Sequence, residues 1–246
     1  MITSGDDMKA IERELRKIDK AEQKFRQKSL LSFPYKEQLM HHIPDKLQDT
    51  LNLAFEKAFK TAFLKGTALL EKTYDKEELQ IEHESKQLMV DRKANRKHLK
   101  SMDKASKKSA LIHDALSTSS GTIMGFFGLG LPDIPVLVSI ILRHLYTCAL
   151  SYGYNYEEEN EKVYLLRLIR ESLAEEVDPA ESLEIEIQKT AAVLSNRLLV
   201  EKFIQGIPVI GAAGGIVNHQ IITRISKYAQ ISYKKRWLND QITRLR

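Results

Sequence analysis

The chain has 246 residues, 43% of them hydrophobic, enough for one large domain with a substantial core. Six prolines and eleven glycines are few for a turn-rich β fold and favour helices, and the single cysteine excludes an intrachain disulfide. The net charge of +5 hides segregation: residues 1–108 carry +6, residues 109–223 carry −7 and residues 224–246 carry +6. Such asymmetry points to contacts with an anionic surface or between parts of the chain itself.

The N-terminal MITSGDDMKAIERELRK is acidic and amphipathic, with no apolar h-region, and does not read as a secretory signal. Met8, Ile11, Leu15, Ile18 and Phe25 recur at helical spacing and predict a helix over 6–28 with a narrow apolar stripe. Ser32-Phe33-Pro34 ends it, because a residue before proline leaves the α region. A second helix starts near Pro44. Leu47, Leu51, Ala54, Phe55, Ala58, Phe59, Ala62 and Phe63 trace a wide apolar face along it.

Residues 76–112 read as helical, weakly apolar and solvated, with nine Lys and Arg against two Asp in 86–108. The next stretch, GTIMGFFGLGLPDIPVLVSIIL over 121–142, is long enough to cross a bilayer but carries Pro132, Asp133 and Pro135 in its middle. Asp133 is an N-cap for an almost wholly apolar helix from Ile134 to Tyr152, and Gly153 suits a left-handed cap. Either protein or lipid must cover that helix. An acidic-headed amphipathic helix follows from EEENEKVYLL, then one over about 181–205. The uncharged IQGIPVIGAAGGIVNHQIIT leads into a basic final helix. No run of alternating strands is present, so the expected fold is all-α: a multi-helix bundle with two Gly/Pro-interrupted hydrophobic segments packed together. Residues 1–42 form a helical extension, and a helical domain spans 43–240 and includes the basic region 76–112.

Motifs with defined chemistry are sparse. No G-x-x-x-x-G-K-[ST] occurs, and the G-x-G beginning at Gly128 places Asp133 where a dinucleotide loop needs glycine. No G-x-S-x-G, no H-E-x-x-H and no set of zinc-binding cysteines is present, so no catalytic residue, metal site or cofactor is assigned. Asp133, Arg143, His144, Asn218 and His219 form a candidate polar cluster if the two hydrophobic segments meet. A satisfied buried hydrogen-bond network is the leading reading of these residues, and catalysis the lesser one. Gly121, Gly125, Gly211 and Gly215, each pair four apart, are candidate helix-packing positions that would bring 121–130 near 206–215. Tyr233, Lys234, Lys235, Arg236 and Trp237 mix aromatic and basic side chains, as a membrane or anionic interface does. Residues 86–108 are the alternative seat of nucleic-acid binding, the weakest reading because no recognised motif accompanies the charge.

IPDKLQDTLNLAFEKAF, GLPDIPVLVSIILRHLYTCALSYGYNYEEENEKVYLLRLI and IPVIGAAGGIVNHQIITRISKYAQISYKKRWL resemble the EcsC family of bacterial proteins, over most of 43–238. The shared features are a Gly-rich segment before a D-x-P helix, a Y-G-Y turn and an I-P-V-I-G-A-x-x-G hinge. Asn155 stands where the family usually has aspartate, and the 76–108 region diverges. The resemblance implies a helical cytoplasmic protein, often encoded beside an Ecs-type ABC transporter; the basic helices add the expectation that it lies peripheral to the inner face of the cell membrane. It supplies no reaction and no catalytic residues. The expected function is therefore a non-enzymatic accessory protein whose partners are a membrane surface or transporter components. A hydrolase or small-ligand protein built on the polar cluster is the alternative.

Overall fold

A computed structural model describes residues 4–27, 44–110, 133–173, 178, 181–204 and 217–245. Its helices are α1 (Ser4–Gln27), α2 (Asp45–Thr61), a π turn (Ala62–Gly66) running into the short α3 (Thr67–Glu71), α4 (Lys76–Arg92), α5 (Arg96–Ala110), α6 (Asp133–Ser151), α7 (Glu159–Leu173), α8 (Leu183–Ile204) and α9 (Val217–Leu245). The fold is an all-α bundle, and no strand occurs among the described residues.

α6 is its axis. α2, α3, α4, α5 and α9 all pack against it. Leu137, Val138, Ile141, Leu142, Leu145, Tyr146 and Ala149 are each at most 1% exposed. Fully burying an aliphatic side chain of this size contributes about 1.5–3 kcal/mol, so this helix supplies much of the driving force for folding. The window Ile134–Ser151 is apolar enough to cross a bilayer, with mean hydropathy 1.6, yet 89% of it is buried inside the protein. Protein therefore covers this helix. Two hydroxyls on its thin polar stripe are satisfied by the helix backbone: Ser139 Oγ donates to the Pro135 carbonyl at 2.7 Å and Thr147 Oγ1 to the Arg143 carbonyl at 2.9 Å.

The end of α6 is a Schellman motif. Gly153 N–H donates to Leu150 O at 2.9 Å and Tyr154 N–H to Ala149 O at 3.0 Å, with Gly153 at φ +82°. His83 of α4 lies against it and donates from Nδ1 to the Ser151 carbonyl at 3.2 Å. A Cβ on residue 153 would sit 2.3 Å from His83 Nε2. Gly153→Ala should therefore lose about 1–2 kcal/mol from the left-handed backbone alone, plus the cost of displacing the imidazole. Urea unfolding checks this, and an alanine variant as stable as the parent would contradict it.

α9 carries the other half of the scaffold, packing along α1, α6 and α7. α2 holds α8 through the predicted apolar face: Leu51, Phe55, Ala58, Phe59 and Ala62 are buried, with Phe59 and Phe63 stacked at 6.2 Å between ring centroids. Sequence periodicity did not show the break in 76–112. Asp7 of α1 accepts from the Ala94 N–H at 3.0 Å, and Asn95 Oδ1 caps the new helix by accepting from His98 N–H at 3.0 Å. The expected single solvated helix is thus two helices at a turn, with Val90, Ala94, Leu99 and Met102 buried beneath. The expected approach of 121–130 to 206–215, with Gly121, Gly125, Gly211 and Gly215, lies outside the described residues.

Candidate functional site

Of the five residues expected to form a polar cluster, Arg143 and His144 lie buried side by side on α6, 2% and 5% exposed. The side chains of Asp133, Asn218 and His219 lie outside the described set. Arg143 reaches instead to the turn after α3, where Nε donates to Thr73 Oγ1 and Nη2 to the Thr73 carbonyl, both at 3.1 Å. Burial pushes the Arg143 pKa down, opposed by the Tyr74 hydroxyl.

Around that turn is a group of residues that sequence reasoning did not single out. Tyr146 stacks on Tyr156 with centroids 4.1 Å apart. Tyr74 donates to the Tyr156 hydroxyl at 2.9 Å, and Tyr156 donates to Glu71. Lys76 bridges Glu71 at 2.9 Å and Glu157 at 2.6 Å, with its ammonium 5.3 Å from the Tyr156 ring centroid. Burial raises the Glu71 carboxyl, but hydrogen bonds from Tyr156 and Lys76 outweigh it and hold the group below the ordinary carboxylate range. Burial, with the Glu71 charge beside it, pushes the Tyr156 hydroxyl far above its ordinary value. The tyrosines are therefore neutral donors, not nucleophiles. Each lies 60 or more positions in sequence from some of its partners, so no local motif marks the group.

The stretch 233–237, expected at an anionic surface, is an internal seam. Tyr233 and Trp237 are 0% and 2% exposed, and Trp237 Nε1 donates to Gln87 at 2.8 Å. Lys234 is buried 2.8 Å from the Asp103 carboxylate, Lys235 pairs with Asp19 and Glu22, and Arg236 with Glu161. The physical reason is that α9 runs between α1, α5 and α7, whose acidic residues neutralise these cations. Part of the charge asymmetry noted in the sequence is thus internal pairing.

An exposed basic face remains elsewhere. Arg92, Lys93, Arg96, Lys97 and Lys100 surround the α4–α5 turn, all exposed, and their side chains form no ion pair among the described residues. Beside them α4 exposes Leu88 at 69% and Met89 at 48%, with Ile81 two turns back at 66%. Such large apolar side chains next to unpaired cations form an amphipathic face rather than a plain solvated one. Glu77 and Glu84 sit toward the other end of α4, while exposed Asp91 stands beside Arg92, and Asp6, Asp7 and Glu14 of α1 line a recess together with Lys93 and Arg96. The seven-residue spacing of Ile81 and Leu88 is visible in the sequence, but their exposure is not.

Among the described residues no group of three or more His, Cys, Asp or Glu is placed to hold a metal ion. Cys148 is buried, and desolvation raises its thiol pKa, so it is no ready nucleophile.

Comparison with known proteins agrees with the residues quoted at the outset. The EcsC protein family model matches residues 6–238. Protein EcsC of Bacillus subtilis (strain 168) is 24% identical over 156 residues, covering 58% of this chain and 66% of that protein, just under two thirds of its length. No solved structure matches the chain. With the family match running through all of the helices described above, the chain belongs to the EcsC protein family.

Proposed function

We propose that this protein is a non-enzymatic interaction protein that docks on the inner, anionic face of the cell membrane through its α4–α5 face. There it serves a membrane-embedded partner such as an ABC transporter. The observation that carries this reading is the juxtaposition of Leu88 and Met89 with five exposed cations that form no ion pair among the described residues. Anionic leaflets attract such residues by about 1 kcal/mol per Lys or Arg, and partly inserted apolar side chains add hydrophobic gain. The transporter connection rests on the family resemblance.

Flotation with vesicles tests the reading. Binding is expected with phosphatidylglycerol-containing vesicles and not with neutral phosphatidylcholine. It should fall steeply with added salt, and fall further in a variant carrying Arg92→Glu, Lys93→Glu, Arg96→Glu and Lys97→Glu. Leu88→Ser should weaken binding at every salt concentration. Salt-sensitive binding to single-stranded RNA without any vesicle binding would overturn the lipid reading. So would vesicle binding that the charge reversals leave unchanged.

A further inference from the structure

Between α1 and α9 runs a groove whose charged lining residues share one sign. Ala21, Phe25 and Ile231 give it apolar surface, and Lys24, Arg224 and Lys227 give it cations. On each helix these residues recur at helical spacing, so one face of each lines the groove. Its volume of about 470 Å³ lies within the roughly 300–1,000 Å³ of small-ligand pockets. No carboxylate occurs among its described lining residues. The recesses on α2, at the 71–77 turn and beside Asp7 each carry carboxylates, so none of them presents so uniform a field. The acidic side chains next to the groove are already paired: Glu22 of α1 with Arg26 and Lys235, and Glu171 of α7 with Arg167 and the Tyr228 hydroxyl. Lys24 and Lys227 are exposed and form no ion pair among the described residues. Arg224 is half-buried and fixed in place. Its Nε donates to the Ser172 carbonyl at 2.6 Å, and its guanidinium lies 4.3 Å from the Phe25 ring centroid. Burial, and then the charge of Arg197, lower the Arg224 pKa, so a further cation stands close by. An apolar floor bordered by cations suits an amphiphile with an anionic head. A folded protein partner fits less well. A standard interface engages about 20–30 residues a side, and the groove offers eight among the described residues.

We propose that this groove binds a single-chain amphiphile with a phosphate monoester head, its chain along Phe25 and Ile231 and its phosphate held by Lys24 and Lys227. A phosphate monoester carries about −1.5 to −2 charges at neutral pH, which three cations match better than they match a single carboxylate. Lys24 lies about 25 Å along α1 from Asp7, which contacts the α4–α5 turn. The site therefore stands independently of membrane docking through that turn.

The test is calorimetric titration of the full chain with monododecyl phosphate, kept below its micelle concentration. Saturable one-to-one binding is expected, at least about tenfold tighter than for octyl phosphate, because the shorter chain buries less apolar surface. Laurate should bind at least about tenfold more weakly, and dodecyltrimethylammonium should not bind. Lys24→Glu with Lys227→Glu, both at exposed positions, should keep the fold and weaken binding by at least about tenfold. Arg92→Glu with Arg96→Glu should leave it unchanged, so this site and docking through α4–α5 fail separately. Absence of one-to-one binding, affinity independent of chain length, binding of the cationic amphiphile, or binding that survives the Lys24 and Lys227 reversals overturns the site. Laurate binding as tight as that of monododecyl phosphate overturns the phosphate head. A dimer in sedimentation that the same double variant abolishes places a second copy in the groove and overturns the amphiphile.

Discussion

Replacing Glu186 with alanine should destabilise this protein by about 3–5 kcal/mol, the cost of leaving a buried guanidinium without its counter-ion. Arg170 and Glu186 are 5% and 0% exposed at their side chains, joining α7 to α8. Nε donates to Oε2 at 3.0 Å and Nη2 to Oε1 at 2.8 Å, so the pair is bidentate. Glu186 also accepts from the Glu181 N–H at 3.2 Å, tying down the start of α8. For a chain of this size, the loss corresponds to a fall in Tm on the order of 10 °C. The pair's net contribution is a different quantity. Arg170→Met combined with Glu186→Leu removes both charges and should recover most of the stability, because well-packed apolar replacements of a buried pair are often neutral. Calorimetry of the single and double variants decides. A single variant that loses under about 1 kcal/mol would show that the guanidinium finds water or another acceptor.

Glu161→Ala is expected to lose about 3 kcal/mol, and most of it should come from one hydroxyl. Glu161 lies in the first turn of α7, where the helix dipole favours a carboxylate. It accepts from Tyr233 Oη at 2.6 Å and from Arg236 Nη1 at 2.8 and 3.0 Å. Tyr233 is fully buried against Tyr154 and Tyr164, with centroids 5.5 and 5.4 Å away, so its hydroxyl would have no replacement partner. Burial, then the Glu161 charge, pushes the Tyr233 pKa well above its ordinary value, so the hydroxyl stays a donor. Arg236 would lose less. Its side chain is 37% exposed, and its guanidinium keeps its place over the Tyr154 ring at 4.0 Å, so solvent screens much of its share. Glu161→Gln, which keeps an acceptor, should cost distinctly less than Glu161→Ala. A double-mutant cycle with Tyr233→Phe should return a coupling of about 1–2 kcal/mol. Additive single-variant effects would assign the stability of this seam to packing alone.

Much of this architecture was legible before any coordinates. Helical class, the apolar circumference of α6 and its end at Gly153 all follow from local physical chemistry. A left-handed cap needs glycine, and a helix apolar all round must be covered. The α2 face was equally plain, since Leu51, Phe55, Ala58 and Phe59 repeat at helical spacing and are buried as that spacing requires. Family membership was legible too, because the D-x-P, Y-G-Y and I-P-V-I-G-A-x-x-G features occur in order over a long span.

The sites were less legible, because charge and aromaticity have no period. YKKRW at 233–237 has the composition of an interface, yet its cations meet Asp19, Glu22, Asp103 and Glu161, which lie 70 to more than 200 positions away. Only the packing of α9 among α1, α5 and α7 decides that these residues face inward. The exposure of Leu88 and Met89 is equally a matter of how α4 packs, and the α4–α5 break is held by Asp7 from 87 positions away. The same holds for the two buried arginines. By itself the sequence determined which segments are helices and which of them must be covered, since those properties arise within a few residues. The tertiary structure decided that protein rather than lipid covers α6, that Arg170 is neutralised and that Arg143 meets no carboxylate among the described residues, because each depends on side chains that folding brings together from distant parts of the chain.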